Sequence, residues 1–309
     1  VVSANIKFTT SEKPRPESVS TSKTAEGVNV TWTPAITSVE TTTESFEEGT
    51  SWSQDNFGAF TSEAVNSGTT GGIFEKYKFP NQGSNYGFML FEPTNGWLTE
   101  AQLNQVPDFK AHEGNKYLAS LYRVDAEGND MAQNNWLYSP ELSGDKQEVS
   151  FWVKNYKDSE KTYEENFDVY YSTTDNKRAS FTKLGDTYSI TSGAWQQIKV
   201  ELPAGARYFA INHNTPTWNS PLFFMIDDIT YTYGAGEVAS YNIYRDSKLI
   251  GNVGADVRNF VDKEVKQDDA NSHLYGVTAV YAAEESEATL AQILTGVGGI
   301  SADSNQTFD

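Results

Sequence analysis

The sequence has no cysteine and only three histidines, which removes several classes of site at once. Without cysteine there can be no disulfide scaffold, thiolate zinc site, iron–sulfur cluster or thiol nucleophile. His112, His213 and His273 lie far apart, and no HExxH spacing is present. Basic residues are also scarce, with 23 Lys and Arg against 42 Asp and Glu, for a formal net charge of −19. Because phosphate groups are bound by basic surfaces, this balance argues against nucleic acid and anionic lipid as partners.

Long apolar runs are absent too, since no stretch approaches the roughly 18 to 20 residues of a membrane span. The sequence therefore predicts no membrane insertion. It opens with Val1-Val2-Ser3 and shows no signal peptide, which we interpret as a mature fragment or a trimmed chain. No G-x-S-x-G, Walker or dinucleotide-binding motif occurs, so we predict that the chain is not an enzyme. An acidic chain with 17 Tyr, 17 Phe and 7 Trp favours an extracellular β protein.

Period-two patterning dominates what is present. The segments 148–154, 167–172, 196–202 and 207–212 alternate or run β-branched and aromatic, and each is bounded by turn residues. Leu98 to Val106 is the best candidate for a helix, with a loop as the alternative. This pattern predicts an antiparallel sandwich or jelly roll.

The two ends of the chain together resemble one domain. The short strands after Ala239 lack the first two strands of a seven-strand sandwich, and the stretch from Pro14 to Trp32 can supply them. Such an insertion requires that the termini of the guest lie close together, as they do when its first and last strands pair. We therefore predict four segments: 1–12 as the tail strand of a preceding domain, 13–35 with 237–290 as a discontinuous domain, 36–236 as its insert, and 291–309 as a linker to a missing C-terminal domain.

The outer pieces resemble a fibronectin type III domain. Trp32 matches the tryptophan of the second strand, and YNIYRDSKLIGNV matches the third and fourth strands. Tyr275, in LYGVTAVY, matches the tyrosine corner, in which the hydroxyl bonds to an upstream backbone group.

The insert resembles the cleaved-adhesin domain of gingipain-type haemagglutinins, also called choice-of-anchor J and similar to MAM domains. Seven segments match in order across residues 44–232: ESFEEGTSWSQ, HEGNKYLAS, NNWLYSPEL, VSFWVKNY, FDVYYSTT, GAWQQIKVELPAGARYFAINH and FFMIDDITY. The resemblance implies an all-β fold: a jelly-roll β-sandwich, MAM-like and galactose-binding-like, inserted into an immunoglobulin-like fibronectin type III sandwich. The final GISADSNQTFD resembles the lead-in to a type IX secretion sorting domain.

The resemblance also implies a structural calcium ion between the first and last strands of the insert. Calcium prefers six to eight oxygen ligands. Glu47 and Asp228 are the matching carboxylates, and Glu113 and Asn115 could add ligands from a nearby loop. Because strand residues alternate between faces, we expect Asp227 to point away from Asp228. The alternative is a set of solvated acids, and the Asp-rich loop of many relatives is replaced here by SWSQDNFGAF.

Two tryptophans outside the strand patterns are candidate ligand contacts. Trp97, in PTNGWLTE, and Trp218, in NTPTWNSP, could stack on a sugar. The alternative is that each pins its own loop to the sandwich. We place the predicted binding surface on the segments Gly71 to Phe109 and Asn212 to Ser220, because loops on a rigid scaffold carry recognition. For His213 we favour a structural role.

These observations predict a non-catalytic adhesin-like module of a larger bacterial protein, secreted or on the cell surface. Its partners would be a glycan or a host extracellular protein, together with other domains of the same polypeptide. Two alternatives stay open. The chain could be an ancillary domain of a secreted protease or glycoside hydrolase, or a spacer without a ligand of its own.

Overall fold

The computed structural model describes residues 13–72, 78–157, 163–219, 221–282 and 284–293. The predicted tail strand at 1–12 and residues 294–309 of the predicted linker lie outside this described part. The chain divides into two compact units, the first made of 1–39, 143–145 and 234–309, the second of 40–142 and 146–233. In the described residues, no helix has the length and apolar character needed to cross a membrane.

Almost all regular structure in the described part is β-strand. The chain begins with β1 (Val19–Thr24) and β2 (Gly27–Trp32). The long middle stretch then contains β3 (Val39–Glu44), β4 (Asn56–Phe57), β5 (Phe60–Ala64), β6 (Thr69–Thr70), β7 (Met89–Phe91), α1 (Glu100–Gln105), β8 (Tyr117–Leu121), β9 (Arg123–Val124), β10 (Asp130–Met131), β11 (Asn135–Tyr138), β12 (Gln147–Asn155), β13 (Glu165–Ser172), β14 (Thr182–Ile190), β15 (Gln196–Leu202), β16 (Tyr208–His213) and β17 (Phe223–Gly234). The chain returns through β18 (Ser240–Arg245), β19 (Lys248–Gly254), β20 (Asn259–Asp262), β21 (His273–Val280) and β22 (Thr289–Ile293). Short 3₁₀ helices cover Pro107–Phe109, Arg178–Ser180 and Thr217–Asn219.

The first unit is a sandwich built from both ends of the chain. One sheet has the order β1-β2-β20 and the other β19-β18-β21-β22. Alternation along β2 turns Val28, Val30 and Trp32 into the core, where the Trp32 ring packs 5.5 Å from that of Tyr241. The strands of both ends thus share one core. The fibronectin type III assignment itself stays a prediction.

Tyr275 behaves differently from the expected tyrosine corner. Its hydroxyl donates to the side-chain carboxylate of Asp262 at 2.9 Å, rather than to an upstream backbone group. The same carboxylate accepts from Arg245 at 2.6 Å. Burial and this carboxylate raise the pKa of the Tyr275 hydroxyl above its usual range. The hydroxyl is therefore held as a neutral donor inside the first unit.

The second unit is a jelly-roll sandwich, as predicted. One sheet has the order β14-β13-β16-β11-β5-β4, and the other has the order β15-β12-β17-β8-β7. Val149, Phe151 and Val153 alternate inward along β12 into the main core between the sheets. The first strand of the unit, β3, pairs with its last, β17. Its two ends therefore emerge side by side, which is what an inserted domain requires.

A second apolar cluster lies in the same unit, separate from the main core. It joins Tyr117, Ala119 and Leu121 of β8 to aromatic residues of the segment 78–109. Leu118 of β8 belongs to the main core instead, so β8 is buried on both faces. The predicted helix within 98–106 is confirmed as α1, which a capping box between Thr99 and Gln102 begins.

Candidate functional site

The connection between β16 and β17 carries an exposed aromatic side chain. Trp218 lies in the 3₁₀ turn Thr217–Asn219, and 83% of its surface is exposed. The side-chain amide of Asn219 donates to Asn166 Oδ1 at 2.8 Å, and the Asn214 N–H donates to the Asn166 carbonyl at 3.0 Å. The loop is thus fastened to β13 on either side of the tryptophan.

The buried carboxylate of Glu165 accepts hydrogen bonds from residues at both ends of this loop. Glu165 Oε2 accepts from Thr215 Oγ1 at 2.7 Å, while Oε1 accepts from the backbone N–H groups of Leu222 and Phe223 at 2.7 and 2.8 Å. The Glu165 side chain has no exposed surface. A buried carboxylate is costly unless hydrogen bonds satisfy it, and these bonds do so. Glu165 therefore fixes the geometry from which Trp218 projects.

His213 extends this network across the sandwich. Its Nε2 lies 2.8 Å from Glu165 Oε2, and its Nδ1 lies 2.8 Å from Ser120 Oγ. A hydroxyl, an imidazole and a carboxylate in sequence are the parts of a nucleophilic relay. All three residues are 0% exposed, so no substrate could reach the hydroxyl. The arrangement instead bridges β8, β13 and β16, which is the structural role predicted for His213.

Trp97, the other candidate ligand contact, is enclosed. Only 7% of its surface is exposed, and its ring packs edge-on against Phe79 at 5.6 Å and Phe109 at 5.0 Å. No ring face is left for a sugar, so the ligand-contact prediction does not fit this side chain. The loop-anchoring alternative does. Most of the large aromatic side chains of residues 78–109 are likewise buried in the second apolar cluster.

Glu47, the first of the residues predicted to bind calcium, accepts hydrogen bonds from the backbone. Glu47 Oε1 accepts from the N–H groups of Asn115 and Lys116 at 2.9 and 2.7 Å. Asn115 thus meets this carboxylate through its backbone N–H, and the Glu113 side chain is exposed. Gly114 makes this approach possible, because it has a φ of +64° and a Cβ there would lie 2.4 Å from Glu47 Oε1.

Asp227 and Asp228 do not point to opposite faces as expected. The His112 N–H donates to Asp227 Oδ2 at 3.0 Å, and His112 Nδ1 lies 2.6 Å from Asp228 Oδ2. Asp228 has a φ of +47°, and the register with β12 shifts beside it, which breaks the alternation. Burial, with repulsion from Asp228, raises the pKa of Asp227 to about 8.

These contacts do not fit a calcium site made of Glu47, Asp228, Glu113 and Asn115. The oxygens of Glu47 and Asp228 accept from separate groups, and Asn115 meets Glu47 through an N–H. Among the described residues, no three His, Asp or Glu side chains form a group that could hold a metal. Sequence reasoning grouped these residues as calcium ligands, and it could not show that Glu47 accepts from backbone N–H groups while Asp228 pairs with His112.

A cavity of about 420 Å³ is a second candidate site in the same unit. Its apolar lining comes from Phe46, Phe57 and Leu90, and its carboxylates come from Glu44 and Glu48. Thr50, Ser53 and Asn56 add hydroxyl and amide groups. None of the described residues that line it is basic, so its chemistry suits a cationic or hydroxyl-rich guest.

Comparisons with known proteins identify what this chain is similar to. The family model "Cleaved Adhesin Domain" matches residues 93–231. Over 238 residues the chain is 27% identical to Lys-gingipain W83 and to Hemagglutinin A of Porphyromonas gingivalis, and the alignment covers 69% of this chain. It spans only 13% of the length of Lys-gingipain W83 and 10% of Hemagglutinin A. The resemblance inferred from the sequence segments is therefore confirmed.

Two solved structures illustrate the structural likeness. The K1 Cleaved Adhesin domain of Lys-gingipain from Porphyromonas gingivalis W83 aligns with a TM-score of 0.43 and 20% identity, covering 62% of this chain and 96% of that one. The CBM22-2 xylan-binding domain from Paenibacillus barcinonensis Xyn10C aligns with a TM-score of 0.34 and 14% identity, covering 62% of this chain and 98% of that one.

Proposed function

We propose that this chain is a non-catalytic, adhesin-like binding module of a larger secreted or surface-attached bacterial protein, and that Trp218 lies at the centre of its ligand surface. The Cleaved Adhesin Domain match to residues 93–231 supports the adhesin-like class. The single observation that carries the site is the 83% exposure of Trp218 on a loop fastened by Glu165 and Asn166.

An exposed indole on a fixed loop is suited to recognition. Tryptophan is enriched among the residues that dominate binding energy, because it offers a large rigid surface. A loop that is already ordered pays little further entropy when a ligand binds. The C–H face of a pyranose ring is apolar and flat enough to pack on an indole, whose face carries negative charge density. A glycan is therefore our first ligand class for Trp218.

The test is a binding screen of the chain on arrays of glycans and host extracellular proteins. Each hit is then titrated with wild type, Trp218→Ala and Leu249→Ala. Leu249 is a matched control because it is an exposed apolar residue, with 51% exposure, in the other unit. We expect Trp218→Ala to weaken glycan binding by about thirtyfold or more, the effect of losing a hot spot, and Leu249→Ala to leave it unchanged. Equal affinity of Trp218→Ala and wild type would contradict the site. An array without any hit would favour the spacer alternative.

The acidic cavity favours a second ligand class, basic side chains on a host protein. Glu44 and Glu48 line its wall, and Glu44 Oε1 also accepts from the Phe46 N–H at 2.7 Å. A lysine or arginine tip that enters the cavity would meet these carboxylates and the hydroxyl groups of Thr50 and Ser53. The double variant Glu44→Gln/Glu48→Gln would then reduce binding to a host protein and leave glycan binding intact. Trp218→Ala would show the reverse.

The same proposal includes secretion of the parent protein by a type IX route. It also includes other domains in the same polypeptide. The chain spans only 13% of the length of Lys-gingipain W83, so the proposal concerns this module and not the activity of a whole protein.

A further inference from the structure

The turn that follows β3 has an unusual backbone. Phe46 and Trp52 have φ values of 62° and 66°, a left-handed conformation that bulky residues rarely adopt. The Gly49 N–H donates to the Phe46 carbonyl at 3.0 Å. The carbonyls of Glu47 and Gly49 take no part in this bond. Residues in such conformations persist only when their surroundings hold them there.

Lys116 holds this turn through both of its nitrogen atoms. Its ammonium donates to the Glu47 carbonyl at 2.6 Å and to the Gly49 carbonyl at 2.9 Å. Its backbone N–H donates to Glu47 Oε1 at 2.7 Å. A single residue of the loop before β8 thus contacts a carbonyl and the carboxylate of Glu47 at the same time.

The charge of Lys116 also reaches a second acid beside the turn. The hydrogen bond from Ser51 is the main cause that lowers the pKa of Glu92, and attraction to the Lys116 ammonium lowers it further. Carbonyl oxygens, Glu47 and Glu92 together make an environment of hard oxygen atoms that favours a cation. The ammonium, with three donors and one positive charge, satisfies such an environment.

We infer that the side chain of Lys116 is the cation of this turn and that the protein binds no metal ion there. The sequence resemblance implies a calcium ion between the first and last strands of this unit. In this chain the Lys116 ammonium already donates to the Glu47 and Gly49 carbonyls, and Glu47 Oε1 accepts from two backbone N–H groups. A metal ion placed beside the ammonium would be repelled by it. The turn between β3 and β4 is therefore ordered by the Lys116 side chain and needs no calcium.

The test compares thermal unfolding of the complete chain in calcium and in EDTA, for wild type, Lys116→Met and Lys146→Met. Lys146 is the matched control, because it belongs to the same unit and forms an exposed ion pair with Glu201 at 3.6 Å. Methionine keeps the length of the side chain and removes the donors. Calorimetric titration of wild type with calcium chloride, repeated with Glu47→Gln, reports metal binding even where a variant fails to fold.

We expect the wild-type melting temperature to be the same in calcium and in EDTA. Lys116→Met should melt about 4 °C or more below Lys146→Met, since several hydrogen bonds of a charged donor are lost. Two results would overturn the inference. One is a Lys116→Met variant that melts with Lys146→Met. The other is saturable calcium binding to wild type that Glu47→Gln abolishes.

Discussion

Residues 78–109 and residues 212–219 are both connections with a tryptophan among turn residues, yet they end in opposite environments. The first surrounds Trp97 with its own aromatic side chains, including Phe79, Phe91 and Phe109. The second has one large apolar residue at its tip, Trp218, and leaves it exposed. A connection that carries enough apolar surface builds a core of its own, whereas a short polar one cannot enclose its tryptophan.

The two connections also differ in what holds them in place. The segment 78–109 is held mainly by apolar packing onto β8, with α1 contributing Leu103 to the cluster. The 212–219 loop is held by hydrogen bonds that converge on Glu165 and Asn166. Apolar packing orders a segment by burying its side chains. Hydrogen bonds at the base of a loop order the loop while its tip stays exposed to a ligand. This difference can be tested by changing one residue at a time.

The largest effect should come from Trp97→Ala. Removing a buried indole from a cluster of aromatic rings leaves a cavity, which costs about 3–5 kcal/mol in the free energy of unfolding. Chemical denaturation followed by fluorescence measures this loss. Trp218→Ala serves as the control because it removes the same side chain from an exposed site. Equal losses for the two variants would mean that Trp97 is not the centre of a core.

An intermediate effect is expected from Glu165→Gln. The amide retains one oxygen for the N–H groups of Leu222 and Phe223, but it turns a donor toward Thr215, which currently donates to the carboxylate. We expect a loss of about 1–3 kcal/mol in the free energy of unfolding, because a buried polar group loses its match. Glu164→Gln is the control, since Glu164 is the sequence neighbour and its carboxylate accepts from Ser189 Oγ at the surface. In the same preparation, weaker glycan binding by Glu165→Gln would show that this carboxylate positions Trp218. Stability and affinity both equal to those of Glu164→Gln would contradict that role.

Much of the fold follows from local pattern. The alternation in β12 predicts which side chains face the core, and Val149, Phe151 and Val153 lie there. The need for close termini predicts a pairing of first and last strands, and β3 pairs with β17. These features repeat along the chain at a fixed period, so a single sequence contains the information.

The site was harder to predict, because its contacts join residues far apart in sequence. The alternation expected for Asp227 and Asp228 fails at a bulge, which no local signal marks. Lys116 looks like an ordinary surface lysine in the sequence, and its ammonium bonds to carbonyls 69 and 67 residues away. Trp97 and Trp218 have similar flanking residues, and only the packing of distant strands separates them. Exposure is a property of the whole fold, so it could not be assigned from either motif.

The smallest effect on stability should come from Trp218→Ala, and that is what makes it the sharpest test. Its side chain is 83% exposed, so truncation should change the free energy of unfolding by no more than about 0.5 kcal/mol. A loss of glycan affinity would then report a removed contact and not a damaged fold. Denaturation and titration on the same sample separate the two quantities. If Trp218→Ala instead destabilised the chain as much as Trp97→Ala, the Trp218 indole would be packed against other residues in solution. The two connections would then not differ in how they expose their tryptophans.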